Sequence, residues 1–309
     1  MKDIIWKIDT VKDFCEVMRQ EYTTIMTLDP WADGALNRYT QFTSYSEQTQ
    51  TIRAIEDKKT QLKFEDVRYY INDYAARGNW SINTPHTDHI KIAVFGCSFT
   101  FGVGIDEEAT WHALVKKQLK TDKPIQLINL GYPGGSITKA LKLFKFLTDV
   151  YTIDIAIFLL PTHWREEYPE HVNKLGTSFH NFIPNVNPHG LLLHKWEEFY
   201  MFATEQTQIY NAVRAVSHID AIAQSKNIET YFSTWDFPLY NYLKSNYLTK
   251  KQLLPYYEFL ENHKGIKDGF ARDGNHPGPL SNEHFANQIL EHLTTFSEKR
   301  TANKPTKLI

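Results

Sequence analysis

The sequence predicts a three-layer α/β/α sandwich with a mostly parallel sheet, preceded by a mixed N-terminal extension. Short apolar segments typical of buried strands alternate with segments whose apolar residues recur at helical spacing. The segment 153–160 is apolar except for Asp154, as expected for a strand covered on both faces. Because strand–helix alternation requires crossover connections, we expect parallel strands and right-handed crossovers.

The expected elements follow from these patterns. Strands are predicted at 92–95, 125–130, 153–160 and 228–233, with a further strand-like segment at 64–74. Helices are predicted at 10–25, 111–119, from Ser136 onward, 197–225 and 282–293, and Asp9, Thr10 and Ser136 are suitable N-caps. The irregular segment 161–196 is too long for a simple connector, so we expect a loop or small subdomain over a site.

Ser98 follows the first strand in a turn that is rich in glycine. The apolar residues 92–95 are followed by Gly96, Cys97 and Ser98, and then by Gly102 and Gly104. A serine at the end of a parallel strand points into the crevice at the carboxyl edge of the sheet, where open α/β folds bind ligands. Ser98 is therefore a candidate nucleophile; the alternative is a structural serine that caps the following helix.

An aspartate and a histidine that could serve Ser98 lie together far downstream. Asp273 and His276 share a Gly/Pro-rich loop just before the last predicted helix. A hydroxyl nucleophile needs a base within hydrogen-bond reach and a third group that orients the base. Asp236 and Asp268 are alternative orienting groups, but neither is as close in sequence to a suitable histidine.

Three segments resemble, in order and spread, sequence blocks of the GDSL or SGNH hydrolases. They read GCSFTFG at 96–102, NLGYPG at 129–134 and DGNHP at 273–277, and the resemblance extends over about residues 90–295. It implies the flavodoxin-like fold of SGNH hydrolases. It also implies hydrolysis of a carboxylic ester through a triad of Ser98, His276 and Asp273.

The resemblance implies an oxyanion hole formed by the backbone N–H groups of Ser98 and Gly134 and by an asparagine side chain. Gly134 also has a structural explanation, since a Pro-Gly-Gly turn needs a permissive backbone. The asparagine is missing, because the chain reads LPTHWR at 160–165. Thr162 or His163 could donate instead, since a hydroxyl and an imidazole N–H are both competent donors.

The same segment offers two candidate substrate-binding residues, Trp164 and Arg165. Arg165 could bind an acidic group on the substrate, or it could pair with Glu166 or Glu167 at the surface. Cys97 stands where the family usually has aspartate, a position outside the triad, so the implied mechanism is unchanged.

Three parts of the chain are expected. Residues 1–89 form an extension packed on the core, 90–296 form the SGNH-type hydrolase domain with inserts at 161–196 and 237–270, and 297–309 form a flexible tail. The boundaries of the hydrolase domain follow from the resemblance to SGNH hydrolases, which extends over about residues 90–295.

Composition and charge exclude several functions. The net charge is -2 with dispersed Lys and Arg, so neither a nucleic acid nor a membrane is an expected partner. The amino terminus carries charges and no segment is long enough to span a bilayer, so we expect a cytoplasmic protein. Cys15 and Cys97 cannot form a disulfide framework, the histidines match no metal motif, and no cofactor is expected.

Two hypotheses follow. The first is a serine esterase or acylhydrolase whose substrate is a small-molecule or glycan ester. The alternative is a catalytically weak or inactive binding or structural protein on the same fold, since fold alone does not give function. The presence of Ser98, Asp273 and His276 together favours the enzyme, because a binding protein does not need all three. The sequence gives no oligomeric state.

Overall fold

The computed structural model describes residues 9–23, 38–40, 45–56, 62–63, 66–74, 76–83, 87–173, 176–182, 203–250, 252–260 and 270–302. Several segments, among them 166–173, 176–182 and 294–302, are described by their backbone alone.

Two helices and a small antiparallel ribbon precede the central sheet. They are α1 (Val11–Thr23), β1 (Arg38–Thr40), α2 (Tyr45–Glu56) and β2 (Tyr69–Ile71), with β1 paired to β2. At the start of α1 the Thr10 hydroxyl accepts the Asp13 N–H (3.1 Å) while the Asp13 carboxylate accepts the Thr10 N–H (2.9 Å). This reciprocal capping confirms Thr10 as a cap of the first predicted helix.

From residue 90 onward, strands and helices alternate. They are β3 (Ile90–Gly96), α3 (Ser98–Phe101), α4 (Trp111–Gln118), β4 (Ile125–Gly131), α5 (Ile137–Val150), β5 (Ile155–Leu160), β6 (Glu166–Asn173), β7 (Gly176–Phe182), α6 (Glu205–Ser225), β8 (Glu229–Thr234), α7 (Phe237–Asn246) and α8 (Pro279–Ala302). The expected N-cap of α5 is confirmed, since the Ser136 hydroxyl accepts the Lys139 N–H at 3.0 Å.

Within the described residues, the central sheet has the strand order β4-β3-β5-β8, and every neighbouring pair is parallel. The chain leaves β3 towards β4 on one side and returns to β5 on the other. The topological switch point therefore lies at β3 and β5, and the crevice at their carboxyl ends is where such sheets bind ligands.

Helices cover both faces of this sheet, which confirms the predicted α/β/α sandwich. Phe95 and Phe158, stacked at 4.8 Å, face α5 and α6, whereas the adjacent Val94 and Ile157 face α4 and α8. Alternate residues of each strand therefore pack into two different apolar cores, one on each face of the sheet. Because both faces are buried, the sequence of these strands is continuously hydrophobic. None of the helices in the described part of the chain combines the length and apolarity needed to cross a membrane.

The structure differs from the sequence-based expectation at the inserts. The segment 161–196, expected to be irregular, contains the antiparallel hairpin of β6 and β7, whose register shifts between Pro169 and His171. Proline and a register shift interrupt the alternation that identifies a strand in sequence. Helices α2 and α7 were likewise not predicted. Helix α8 continues to Ala302, so residues 297–302 of the expected tail are helical.

Candidate active site

Ser98 is the first residue of α3, at the carboxyl end of β3. It is buried, with 5% of its surface exposed, and the preceding Cys97 is fully buried. The Ser98 carbonyl accepts the N–H groups of Gly102 (2.8 Å) and Val103 (3.1 Å), which closes the helical turn. The sequence-predicted strand-to-turn arrangement is present, and Ser98 lies at the edge of the sheet where the switch point falls.

The loop that follows Ser98 is held by an arginine from the N-terminal part of the chain. The buried Arg77 guanidinium donates to the backbone carbonyls of Phe101 (3.0 Å), Gly102 and Ile105 (2.8 Å). The guanidinium also lies 4.7 Å from the centre of the Tyr69 ring. Residues before the first family-like block therefore contribute directly to the shape of the Ser98 turn.

Asp273 and His276 form a hydrogen-bonded pair within their loop. Asp273 Oδ2 lies 2.5 Å from His276 Nδ1, and Asp273 Oδ1 accepts the N–H groups of Asn275 and His276, both at 3.1 Å. Burial raises the pKa of Asp273, but the His276 charge and these hydrogen bonds outweigh it and hold the pKa below its usual value. An ionised Asp273 fixes the hydrogen on Nδ1 and leaves Nε2 of His276 as the basic nitrogen.

This loop packs against the Ser98 turn. The Gly104 carbonyl accepts the Arg272 N–H at 2.8 Å, and the Gly104 N–H donates to the Tyr69 hydroxyl at 2.6 Å. Gly104 has a φ of 75°, and a Cβ there would lie 2.8 Å from the Ala271 Cβ, so glycine permits the close approach.

The two candidate segments meet through their aromatic rings. The His276 ring lies edge-on to Phe99, the residue after Ser98, with ring centroids 5.9 Å apart. The Ser98 hydroxyl makes no hydrogen bond with a described residue. In an enzyme without substrate such a bond is often long and tightens only in the complex.

A second His–Asp pair lies at the carboxyl ends of β5 and β8. Asp236 Oδ2 accepts both the backbone N–H of His163 (2.9 Å) and its Nδ1–H (2.7 Å), while Asp236 Oδ1 accepts the Leu239 N–H (3.1 Å) and caps α7. His163 is 3% exposed, and its buried Nε2 has no hydrogen-bond partner among the described residues.

This pair concerns Asp236, one of the two alternatives to Asp273 as the orienting aspartate. Burial raises the pKa of Asp236, but hydrogen bonds from His163 and Thr162 outweigh it and lower the pKa overall. Asp236 is thus engaged with His163 and does not orient His276. The other alternative, Asp268, lies outside the described residues.

Thr162 and Gly134 lie at the same edge of the sheet. The Thr162 hydroxyl accepts the Trp164 N–H at 3.4 Å, and it helps to lower the pKa of Asp236. Gly134 follows β4 in a turn closed by a hydrogen bond from the Gly135 N–H to the Tyr132 carbonyl (2.8 Å). Its φ of 76° favours glycine for backbone reasons alone, so both explanations of Gly134 stay open.

Trp164 and Arg165 complete the segment after β5. The Trp164 ring packs on His163 with centroids 5.2 Å apart, and the Arg165 guanidinium lies over Trp235 at 5.4 Å. Trp235 in turn stacks on Phe99 at 5.1 Å. The structure therefore connects Arg165 to the Ser98 turn through two aromatic rings. The side chains of Glu166 and Glu167, its alternative partners, lie outside the described side chains.

The sequence did not identify the buried His112. Its Nε2 lies 2.9 Å from the Thr100 carbonyl, and burial lowers its pKa to about 3. His112 is therefore a neutral hydrogen-bond donor to the backbone of α3, and not an acid–base group.

A surface pocket lies apart from this site. The pocket, of about 490 Å³ with three lysines among its lining residues, lies by Ile125, at the amino end of β4 and thus at the opposite edge of the sheet from Ser98.

Among the described residues, no three His, Cys, Asp or Glu side chains are grouped so that they could hold a metal ion. Of the histidines in the segment after β5, those beyond His163 lie outside the described side chains.

The geometry defines an α/β/α sandwich with a serine turn and an Asp–His loop at the carboxyl edge of its sheet. Among solved structures, the chain is similar to a lipolytic protein of the G-D-S-L family from Desulfitobacterium hafniense (12% identity, TM-score 0.41, covering 66% of this chain and 99% of that one). It is also similar to the esterase EstA from Pseudoalteromonas (13% identity, TM-score 0.42, covering 68% of this chain and 99% of that one). A further similar structure is AlinE4, an SGNH-hydrolase family esterase (18% identity, TM-score 0.37, covering 72% of this chain and 100% of that one).

No protein-family model matches the chain, and no curated protein matches it. Similarity to the solved structures at this level does not establish an activity.

Proposed function

We propose that the chain is a serine hydrolase of the SGNH type that cleaves a carboxylic ester, with Ser98 as nucleophile, His276 as base and Asp273 as orienting group. The observation that carries the proposal is the Asp273–His276 pair, hydrogen-bonded at 2.5 Å, on a loop that packs against the Ser98 turn. An aspartate, a histidine and a serine hydroxyl in this order are the groups that acyl transfer requires.

The reaction follows from these roles. The Ser98 oxygen attacks the ester carbonyl while its proton passes to Nε2 of His276. The tetrahedral intermediate collapses, the C–O bond to the alcohol breaks, and the alcohol takes the proton from His276. Water then attacks the acyl-serine with His276 again as base, which releases the acid and restores the Ser98 hydroxyl.

The developing oxyanion needs hydrogen-bond donors, and we propose the N–H groups of Ser98 and Gly134 together with the side chain of His163. His163 Nδ1 lies 2.7 Å from Asp236 Oδ2, and Nε2, on the other side of the ring, is buried without a hydrogen-bond partner among the described residues. An Nε2–H would therefore be free to donate to the oxyanion. His163 is preferred to Thr162 because its buried Nε2 has no hydrogen-bond partner among the described residues.

The test is a screen of short-chain nitrophenyl esters and acetylated sugars with the wild type, Ser98→Ala and Ser225→Ala. Ser225 ends α6, where its hydroxyl bonds the Ile222 carbonyl at 2.8 Å, so its replacement controls for loss of a hydroxyl. We expect turnover by the wild type and Ser225→Ala and loss of turnover in Ser98→Ala. Equal turnover by all three, or none by a folded wild type, would contradict the proposal, the second result favouring a binding protein.

A further inference from the structure

The Arg165 side chain carries donors that no described residue accepts. Its Nε and Nη1 atoms are buried and make no hydrogen bond with any residue that the structure describes. The same is true of the nearby Trp235 Nε1. A guanidinium has five N–H donors and stays charged, and a buried charge without a partner is costly. These atoms are therefore suited to an acceptor supplied by a ligand.

Arg165 is held in a defined position at the candidate active site. Its guanidinium lies 5.4 Å from the Trp235 ring, which stacks on Phe99 at 5.1 Å, and Phe99 in turn contacts the His276 ring at 5.9 Å. Stacking on an aromatic face fixes the plane of a guanidinium and leaves its edges available for hydrogen bonds. The unused donors thus lie on the same edge of the sheet as Ser98.

Asp236, a buried carboxylate at the same edge of the sheet, forms no ion pair with Arg165. Asp236, the next residue after Trp235, accepts hydrogen bonds from His163 and Leu239. Its lowered pKa is explained by His163 and Thr162 rather than by Arg165. Among the described side chains, none supplies an anionic partner for Arg165.

We infer that Arg165 binds an anionic group of the substrate, so that the preferred ester carries a carboxylate or another oxyanion on its acyl or its alcohol side. This inference deepens the proposed function and rests on it. Trp235 contributes the stacking face, and its indole N–H is a further donor to the same group.

The kinetic test compares isosteric charged and neutral esters. On the alcohol side, 4-acetoxybenzoate is compared with 4-acetoxybenzamide; on the acyl side, the mono-4-nitrophenyl ester of succinic acid is compared with that of succinamic acid. We expect the wild type to prefer the anionic member of one pair by at least about tenfold in kcat/KM, a ratio equivalent to roughly 1.4 kcal/mol. The pair that shows the preference identifies the side of the ester that carries the anion.

Substitution of Arg165 links this preference to the residue. We expect the charged-to-neutral ratio to fall about tenfold in Arg165→Gln and less in Arg165→Lys, which keeps the charge but loses the planar stack. Arg214→Gln is the matched control, because Arg214 is an exposed arginine that lies 5.9 Å from the Tyr210 ring on α6. A wild-type ratio near one in both pairs, or a ratio unchanged by Arg165→Gln, would overturn the inference.

A binding measurement separates this inference from the proposed function. Calorimetric titration of 4-acetoxybenzoate and 4-acetoxybenzamide into Ser98→Ala, and the corresponding succinyl pair, needs no turnover. We expect tighter binding of one anionic member and loss of that difference in the Ser98→Ala, Arg165→Gln double variant. Equal binding of both members of each pair overturns the inference even if ester hydrolysis is established, and a difference supports it even if hydrolysis fails.

Discussion

His163 and Asp236 join the carboxyl ends of two neighbouring strands through a buried hydrogen bond of 2.7 Å between Nδ1 and Oδ2. A second pair, His276 and Asp273, lies on the loop that packs against the Ser98 turn. The edge of the sheet thus carries two His–Asp pairs with different surroundings. We propose that the part-buried pair of His276 and Asp273 transfers protons and that the fully buried pair of His163 and Asp236 stabilises negative charge.

The first prediction concerns His163 as an oxyanion donor. His163→Leu removes the donor, and we expect kcat to fall by roughly 10²–10³-fold, the loss typical of one missing oxyanion donor. His163→Asn keeps an N–H donor, so we expect it to retain more activity than His163→Leu. The exposed His218→Leu variant should hydrolyse the best ester from the screen with the wild-type kcat. A folded His163→Leu with the wild-type kcat would exclude His163 from the oxyanion hole.

The second prediction concerns Asp273. Asp273→Asn keeps the size of the side chain but favours the wrong tautomer of His276, so we expect kcat to fall by roughly 10³–10⁴-fold. The measurement is steady-state hydrolysis of the best ester from the screen. Asp106→Asn, an exposed aspartate in the loop after Ser98, should retain full activity. A loss of less than about tenfold would mean that Asp273 does not orient the base.

The third prediction concerns the arginine that holds the loop after Ser98. Arg77→Met removes the donors to three backbone carbonyls, including those of Phe101 and Ile105. Because buried acceptors left without donors are costly, we expect the free energy of unfolding to fall by about 2–4 kcal/mol. The exposed Arg68→Met should change it by less than about 0.5 kcal/mol in the same urea titration. Equal stability of the two variants would contradict the role of Arg77.

The fourth prediction concerns stability in acid. Burial lowers the pKa of His112 from its usual 6.5 to about 3, so the unfolded chain binds this proton at a higher pH than the folded chain does. The contribution of neutral His112 to the free energy of unfolding is fully present above pH 6.5. It is lost as pH falls towards 3, at roughly 1.4 kcal/mol per pH unit. We expect His112→Gln to show a shallower loss of unfolding free energy between pH 6 and pH 4, and His218→Gln to behave as the wild type. If the free energy of unfolding of His112→Gln falls with pH as steeply as that of the wild type, His112 does not contribute to the acid sensitivity of the fold.

The parts of the site that sequence could predict are local. Ser98 follows an apolar strand and a glycine, and Asp273 and His276 are three residues apart in one loop, so their spacing carries the signal. The α/β/α fold is likewise visible in the strand and helix alternation. The triad itself stays a prediction that the experiments above address.

The parts that sequence could not predict depend on contacts between distant segments. His163 and Asp236 lie within three residues of the ends of β5 and β8, but their pairing depends on β5 lying next to β8, which periodicity does not reveal. Arg77 reads as a surface residue, because its acceptors are backbone carbonyls without a sequence signature. Asp236 as a partner of His163 could have been considered had the strand order been known.

The central claim is that Ser98 is the nucleophile, and reaction with a fluorophosphonate followed by peptide mass spectrometry tests it most directly. We predict a single phosphonyl adduct on the peptide that contains Ser98 in the native wild type. The adduct should be absent from Ser98→Ala and present in Ser225→Ala. A native wild type that stays unlabelled, or an adduct that survives in Ser98→Ala, would contradict the account.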